Sequence, residues 1–222
     1  MIIAIDGPSG SGKSTLGRML ARALKLLYID TGSMYRAVAL AVIEANLDPA
    51  DAKSVTALAN RIDIDLEGDP DSLNVLLDGG DVTEQIRTER VTAMSSVISS
   101  IPGVRRAMVE RQRAIGKRGA VLNGRDIGTI VFPDADVKFF LTAVPEERAE
   151  RRYNEDRSTP GSSTTLADTL ADMIERDRRD STRTDSPLKV ADDAVVIDST
   201  GKSIEAVFDE MMGKISDVHR HH

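Results

Sequence analysis

Short apolar runs alternate with segments of helical periodicity along the first 46 residues. IIAID is rich in β-branched side chains and predicts a strand, whereas LGRMLARALKLL has apolar positions at helical spacing. LLYID (26–30) predicts a second strand, and GSMYRAVALAVIEANL a largely apolar helix that ends near Asn46. A strand, a helix and a strand in so few residues imply a right-handed parallel crossover, and therefore an α/β sheet covered on both faces.

The pattern changes at Asp63. DIDLEG, DPDS and LNVLLDGGDVTEQI alternate apolar and polar positions around turn-rich breaks, which predicts an antiparallel hairpin or three short strands. Helical patterns return over residues 88–100 and 103–118, and Pro102 suits the break between them. We interpret residues 63–118 as a small antiparallel and helical insertion into the parallel fold.

Parallel-sheet periodicity resumes after this insertion. GAVLNG and DVKFFLTA predict buried strands, VPEERAERRYNEDR and TLADTLADMIERDRRD charged helices, and AVVIDST a last strand before the closing helix SIEAVFDEMMGKI. The composition of STPGSST, between the two charged helices, is typical of a flexible loop. The pattern predicts a three-layer α/β/α fold with a parallel sheet, whose core domain comprises residues 1–62 and 119–222.

Composition excludes several classes of protein. The 222 residues fit one large domain with an insertion, given a soft average of roughly 150 residues per domain. The absence of cysteine excludes a disulfide framework and thiolate metal sites. The net charge of −7 argues against nonspecific nucleic-acid binding, and the start MIIAIDG is unlike a signal peptide. No apolar run is long enough to span a membrane. We expect a cytoplasmic, monomeric protein with no membrane or nucleic-acid partner.

Residues 7–14 fit the phosphate-loop pattern GxxxxGK[ST] in full. The glycines allow consecutive backbone N–H groups to turn toward phosphate oxygens, and the helix that begins near Lys13 adds its positive end. Lys13 can reach the β- and γ-phosphates, and the Ser14 hydroxyl can ligate Mg²⁺. Because the segment lies between a predicted strand and a predicted helix, it indicates binding of a nucleoside triphosphate.

The rest of the chain narrows the class of P-loop protein. No NKxD guanine-recognition motif is present, and no apolar run ends in Asp-Glu as in larger ATPases. The remaining small class comprises kinases of small metabolites, which need a second anion site and a closable lid.

Two segments are candidates for the second anion site. Arg36 in DTGSMYR lies one turn into a helix that follows a strand end, where open α/β sheets bind ligands. Arg125 and Asp126 in NGRDIGT follow another strand at the same predicted edge. Arg36 as a surface residue, and Arg125 and Asp126 as an internal salt bridge, stay open as alternatives.

Arginines flank the flexible loop on both sides. Fourteen of the sixteen cations between residues 105 and 183 are arginines, whose planar guanidinium groups suit phosphate oxygens. A loop with arginine-rich arms predicts a lid near residues 148–183 that supplies positive charge and excludes water on closing. Its candidates are Arg148, Arg151, Arg152 and Arg157 before the loop, and Arg176, Arg178, Arg179 and Arg183 beyond it.

With these motifs in order, the sequence resembles the bacterial cytidylate kinases, the (d)CMP kinase branch of the nucleoside monophosphate kinases. The strings that carry the resemblance are GPSGSGKST, DTGSMYR, IPGVRRAMVERQRA, NGRDIGTIVFPDADVKFFL, ERDRRDSTR and VVIDST. They span nearly the whole chain. The resemblance implies phosphoryl transfer from ATP to CMP or dCMP, giving ADP and CDP or dCDP in pyrimidine nucleotide metabolism, with Mg²⁺ as cofactor.

The resemblance implies that residues 63–118 form the insertion that binds the nucleoside monophosphate. It also implies roles for individual residues. ATP would be held by Gly7, Pro8, Ser9, Gly10, Ser11, Gly12, Lys13, Ser14 and Thr15, with Ser14 as the metal ligand. The CMP phosphate would contact Thr31, Arg36 and Arg125, the cytosine Ser96, Arg105 and Asp126, and the sugar and phosphate region Arg176, Asp180 and Arg183. The catalytic set would be Lys13, Arg125 and the lid residues Arg152 and Arg157.

Residue chemistry agrees with a cytosine site. A carboxylate can accept from the N4 amino group, and Arg or Ser can donate to N3 and O2. Two alternatives stay open: another small-metabolite P-loop kinase, of the adenylate or shikimate kinase type, and a non-catalytic nucleotide-binding module.

Overall fold

The computed structural model describes residues 1–157 and 164–219, apart from the side chains of residues 156, 157 and 219. The elements in chain order are β1 (Ile2–Asp6), α1 (Lys13–Leu24), β2 (Leu27–Asp30), α2 (Thr31–Glu44), α3 (Ala52–Arg61), β3 (Ile64–Glu67), β4 (Asn74–Leu77), β5 (Gly80–Asp81), a 3₁₀ turn (Gln85–Arg87), α4 (Glu89–Ile98), α5 (Pro102–Gly116), β6 (Ala120–Gly124), a π turn (Ile127–Val131), β7 (Val137–Thr142), α6 (Pro145–Arg157), α7 (Leu166–Thr182), β8 (Val195–Asp198) and α8 (Ile204–His219).

Five strands form a parallel sheet in the order β2-β6-β1-β7-β8. Successive side chains of a strand face opposite sides, so the apolar strands contribute to two cores. Ala4 packs with the helices of one side, whereas Ile3 and Ile5 pack with α1 and α8 on the other. The predicted α/β/α architecture and its parallel sheet are confirmed.

The insertion forms a three-stranded antiparallel sheet in the order β3-β4-β5, followed by two helices. Of the two predicted alternatives, a hairpin or three short strands, the structure has the second. Residues of α2, α3, α4 and α5 form one continuous apolar core with Ala4, Ile29 and Leu122 of the parallel sheet. These four helices therefore pack onto the parallel sheet. The division of the chain into a core domain and an insertion of residues 63–118 stays a prediction.

One helix was absent from the sequence-based prediction. α3 begins after Asp51, whose side chain accepts from the Ser54 amide at 3.1 Å, and it buries Val55, Leu58 and Ala59. An N-cap followed by apolar residues at spacings of three and four is a helix signal that was available in the sequence.

The carboxyl ends of the parallel strands meet at one edge of the sheet. β1 ends at Asp6, β2 at Asp30 and β6 at Gly124, and each strand is followed by one of the segments singled out above. Among the described residues, no helix is long and apolar enough to cross a membrane. The fold therefore brings the phosphate loop, DTGSMYR and NGRDIGT to one place.

Candidate active site

The phosphate loop packs tightly between β1 and α1. Gly7 has a φ of 146°, and a Cβ there would lie 2.1 Å from the Leu141 carbonyl oxygen, so a side chain does not fit. A Cβ on Gly10 would lie 2.5 Å from the Arg148 carbonyl oxygen. Lys13 reaches across the loop and its Nζ donates to the Pro8 carbonyl at 2.6 Å. Packing thus holds the loop in the conformation that its glycines permit.

One cleft at this sheet edge collects most of the predicted site residues. Those that line it are Ser9, Gly10, Gly12, Lys13, Ser14, Thr15, Thr31, Arg36, Arg105, Arg125, Asp126, Arg152, Arg176, Asp180 and Arg183. Gly7, Pro8 and Ser11 do not line it. Ser11 is buried, and its hydroxyl donates to the Pro8 carbonyl at 3.0 Å, so it supports the loop from within.

The start of α2 forms one wall of the cleft. Asp30 caps the helix by accepting from the Gly32 amide at 3.0 Å and pairs with the Arg36 guanidinium at 3.2 Å. Arg36 therefore returns toward the start of its own helix, as its position one turn along predicts. The Thr31 hydroxyl is buried and donates to the Asn123 carbonyl at 2.7 Å.

A buried ion pair occupies the far end of the cleft. Arg105 of α5 donates to Asp126 at 2.6 Å, and both side chains are less than a tenth exposed. Arg105 also donates to the Ser99 carbonyl at 3.1 Å, and its guanidinium carbon lies 5.4 Å from the centroid of the Tyr35 ring. The alternative of an internal salt bridge between Arg125 and Asp126 is therefore not what the structure shows. Asp126 pairs with Arg105 instead.

The structure separates Ser96 from the other residues assigned to the base. Ser96 is half-buried on α4 and does not line the cleft, whereas Ser95 and Ser99 do. Neighbouring residues of a helix point about 100° apart, so Ser95 and Ser96 face different directions. Ser95, which is 7% exposed, is the better candidate for a contact with the base.

α7 contributes the opposite wall. Arg125 donates to Asp180 at 2.8 Å, and Arg183 pairs with the other oxygen of Asp180 at 3.2 Å. Burial alone would raise the pKa of Asp180, but the positive charges of Arg125 and Arg176 outweigh it and hold this pKa below its usual value. Asp180 is therefore an anion that fixes the orientation of the surrounding guanidinium groups.

Three cations converge between the phosphate loop and α7. Burial lowers the pKa of Lys13 well below its usual value, and the charges of Arg125 and Arg176 lower it further. Burial and then the charge of Arg125 lower the pKa of Arg176 to about 10. Like charges held this close destabilise one another, and a polyanion bound among them would relieve that repulsion. The centre of the cleft therefore favours anionic groups.

Several buried polar atoms along the cleft have no protein partner. Within the described ranges, Nε of Arg105, one terminal nitrogen of Arg183 and Oδ1 of Asn123 make no hydrogen bond. A buried polar group without a partner costs about 1–3 kcal/mol. Two donors and one acceptor are therefore left unsatisfied in the walls of the cleft.

Two of the predicted lid arginines have structural roles. Arg148 is buried, donates to the carbonyls of Ala143 and Ser9 at 3.0 Å each, and pairs with Asp177 at 2.7 Å. It thereby joins α6 to the phosphate loop and to α7. Arg151 donates to Glu147 and Ser199, away from the cleft. Both side chains are held by these contacts in this structure, and the predicted role of each in a lid stays a prediction.

The remaining lid candidates divide between the cleft and the outer surface. Arg178 and Arg179 pair with Glu175 on the exposed face of α7. Arg152 lines the cleft together with Glu155. The side chain of Arg157 and residues 158–163 of the loop lie outside the described residues, so their predicted roles stay predictions.

Sequence reasoning missed some of the lining residues. The most informative is Asn123, which is next to the last residue of β6 and whose Nδ2 donates to the Ser14 hydroxyl at 3.0 Å. Asn123 is the first residue of the candidate segment NGRDIGT, and that place was its signal, although no role was assigned to it. The other lining residues that were not singled out are Asp30, Gly32, Tyr35, Ser95, Ser99, Gly124 and Glu155.

A phosphate loop facing a cluster of guanidinium groups at the carboxyl edge of a parallel sheet defines a P-loop kinase of small molecules. Comparison with known proteins identifies the group within that class. The chain belongs to the cytidylate kinase family, whose model matches residues 3–217. The resemblance found in the sequence is confirmed, and neither an adenylate or shikimate kinase nor a non-catalytic module is favoured.

Relatives match the chain along nearly its whole length. It is 52% identical to a cytidylate kinase of Solibacter usitatus over 93% of this chain and 88% of the relative. It is 46% identical to a cytidylate kinase of Clostridioides difficile, with 97% and 98% covered. A crystal structure of an uncharacterized protein from Eubacterium ventriosum has the same fold, with a TM-score of 0.55 at 12% identity over 98% of both chains.

Proposed function

We propose that this protein transfers the γ-phosphoryl group of ATP to the phosphate of CMP or dCMP, giving ADP and CDP or dCDP in pyrimidine nucleotide metabolism. The observation that carries the proposal is the convergence of Lys13, Arg125 and Arg176 between the phosphate loop and the walls that hold Arg36 and Arg105. Two phosphorylated substrates would meet at these cations.

ATP would bind along the phosphate loop, with its terminal phosphates beside Lys13. Mg²⁺ bound with ATP would supply charge neutralisation at the terminal phosphates. The Ser14 hydroxyl fits a role as its ligand, because Asn123 donates a hydrogen bond to that oxygen and leaves a lone pair for a cation. No cluster of three acidic, histidine or cysteine side chains occurs in the described ranges, which fits an ion held chiefly by phosphate and water.

CMP would lie across the cleft from ATP. Arg36 and Arg125 would hold its phosphate, with Thr31 at the start of α2, and Arg105 and Asp126 would face the cytosine. Arg176, Asp180 and Arg183 would surround the sugar and phosphate. The position of Arg105 and Arg183 in the cleft lining supports this arrangement, because guanidinium groups there can face acceptor atoms of CMP.

The transfer forms a bond between an oxygen of the CMP phosphate and the γ-phosphorus and breaks the bond from that phosphorus to the bridging oxygen of ADP. Such a reaction needs in-line positioning and charge neutralisation more than covalent chemistry. Lys13 neutralises charge on the donor side, Arg125 on the acceptor side, and Arg152 and Arg157 are proposed to do so from the lid. Closure of the lid would exclude water, which would otherwise compete as acceptor.

The test is ADP formation with a panel of acceptors. We expect ATP turnover with CMP and dCMP, much weaker turnover with UMP, and none with AMP or shikimate. Preferred turnover with AMP or shikimate would replace this proposal with another small-metabolite kinase. ATP binding without ADP release on addition of any acceptor would indicate a non-catalytic module. A cytoplasmic location, a monomeric state and the absence of nucleic-acid and membrane partners stay predictions from the sequence.

A further inference from the structure

Asp6 is a buried carboxylate that the proposed chemistry does not use. It ends β1, the strand between β6 and β7, and is 3% exposed. Its two oxygens accept from two consecutive backbone amides of the segment after β6, Oδ1 from Ile127 at 2.8 Å and Oδ2 from Gly128 at 2.7 Å. Asp6 therefore clamps a segment more than 120 residues away in the sequence.

This clamp acts on the segment that carries two proposed substrate contacts. Arg125 and Asp126 immediately precede Ile127, so the clamp fixes the backbone at the end of that pair. On its other side Asp6 is followed by Gly7, where the phosphate loop begins. One side chain thus ties the acceptor wall to the strand from which the donor loop starts.

We infer that Asp6 is a positioning residue that holds Arg125 and Asp126 in register with the phosphate loop for the acceptor nucleotide. The inference rests on the proposed function, since it assumes that Arg125 and Asp126 contact CMP. Asp6 would touch neither substrate and would act through the Ile127 and Gly128 amides.

The chemistry of the clamp requires a charged carboxylate. An ionised carboxylate accepts at both oxygens, whereas an amide or a protonated acid directs a donor at one of the two N–H groups. Burial raises the pKa of Asp6 to about 6, with a further contribution from the charge of Asp126, although the two amides and Lys13 oppose it. The nearby Lys138 is paired with Asp193. An anion kept in so unfavourable a place fits a positioning role better than a role in stability.

The decisive variant is Asp6→Asn, compared with Asp136→Asn. Asp136 provides a matched control, because it accepts from the Ile2 amide at 2.6 Å at the opposite end of β1 and is exposed. We expect Asp6→Asn to raise KM for CMP about tenfold or more, with KM for ATP changed less than about threefold, the size of effect of one lost charge-assisted hydrogen bond. Asp136→Asn should leave both constants close to wild type.

Each outcome is informative. If wild type does not phosphorylate CMP, the proposed function fails. If wild type does but Asp6→Asn raises both KM values equally, or neither, the inference is overturned while the function stands. Rescue of CMP affinity by Asp6→Glu would support it further.

If Asp6→Asn does not fold, the inference can still be tested on the wild-type protein alone. The amide resonances of Ile127 and Gly128 are followed from pH 5 to 7.5 together with the Kd of CMP. We expect both amides to shift with a midpoint near 6 and CMP binding to weaken over the same range on acidification. The CMP phosphate also titrates near pH 6, so cytidine serves as a second ligand without that group. Amides insensitive to pH, or cytidine binding that does not follow them, would overturn the inference.

Discussion

The donor and acceptor sides of the cleft are built by different means. The donor side is one continuous segment, residues 7–15, in which packed glycines hold the backbone and Lys13 is the one cation. The acceptor side is assembled from α2, α5, the segment after β6 and α7, and most of its cations are held in ion pairs. Substitution on the donor side should therefore abolish phosphoryl transfer. Substitution on the acceptor side should weaken the binding of CMP and leave the binding of ATP little changed.

The largest effect is expected from Lys13→Ala. It deletes the charge beside the β- and γ-phosphates during transfer, and we expect kcat to fall about 10²–10³-fold, on the order of 3–4 kcal/mol. Steady-state kinetics with CMP measures the effect, and circular dichroism checks the fold. Lys214→Ala, at an exposed position of α8, serves as the control. Activity within about threefold of wild type would show that the donor side does not depend on this charge.

Arg125→Ala is expected to rank second and to separate the two sides. We expect KM for CMP to rise about 10–100-fold with little change in the Kd of ATP, because a charge-assisted contact contributes roughly 1.5–3 kcal/mol. Arg125→Lys should rescue only partly, since the forked geometry is lost. Arg178→Ala, on the exposed face of α7, is the control. Equal losses of CMP and ATP affinity would remove the distinction between donor and acceptor sides.

Asp126→Asn tests how the acceptor side selects a base. The carboxylate would accept from the cytosine N4 amino group and repel the uracil O4, so we expect kcat/KM for CMP to fall roughly 10–100-fold and for UMP much less. The ratio of the two values is the measurement.

A loss of activity in Asp126→Asn could also come from breaking the Arg105–Asp126 ion pair, and this effect must be separated from base selection. Breaking a buried pair destabilises the fold by about 3–5 kcal/mol, so thermal unfolding is measured alongside the kinetics. Equal losses with CMP and UMP, together with a lower Tm, would make Asp126 the partner that orients Arg105.

The smallest effect distinguishes two adjacent serines. Ser95→Ala should raise KM for CMP about fivefold, the equivalent of about 1 kcal/mol for one hydrogen bond. Ser96→Ala should leave it unchanged, since this side chain does not line the cleft. The reverse order would restore the residue that the sequence resemblance selected.

The donor side of the cleft could be predicted from the sequence better than the acceptor side. The phosphate loop, the five parallel strands and the antiparallel insertion each have a local signature, and the structure contains all of them. The partners of Arg105, Arg125 and Arg148 could not be predicted, because each ion pair joins elements that are 21 to 55 residues apart. A cluster of arginines in sequence does not show which of them face a ligand and which support a loop.

The shared apolar core has a consequence for protein engineering. α2 buries ten residues and contacts the parallel sheet below and α3, α4 and the antiparallel strands above. A chimera joined near residues 62 and 119 would cut through this core and leave α2 facing an unmatched surface. We therefore expect that exchange of residues 63–118 as a unit would not transfer base preference. Altering it calls for substitutions made in place, and the intact chain should melt in a single cooperative transition.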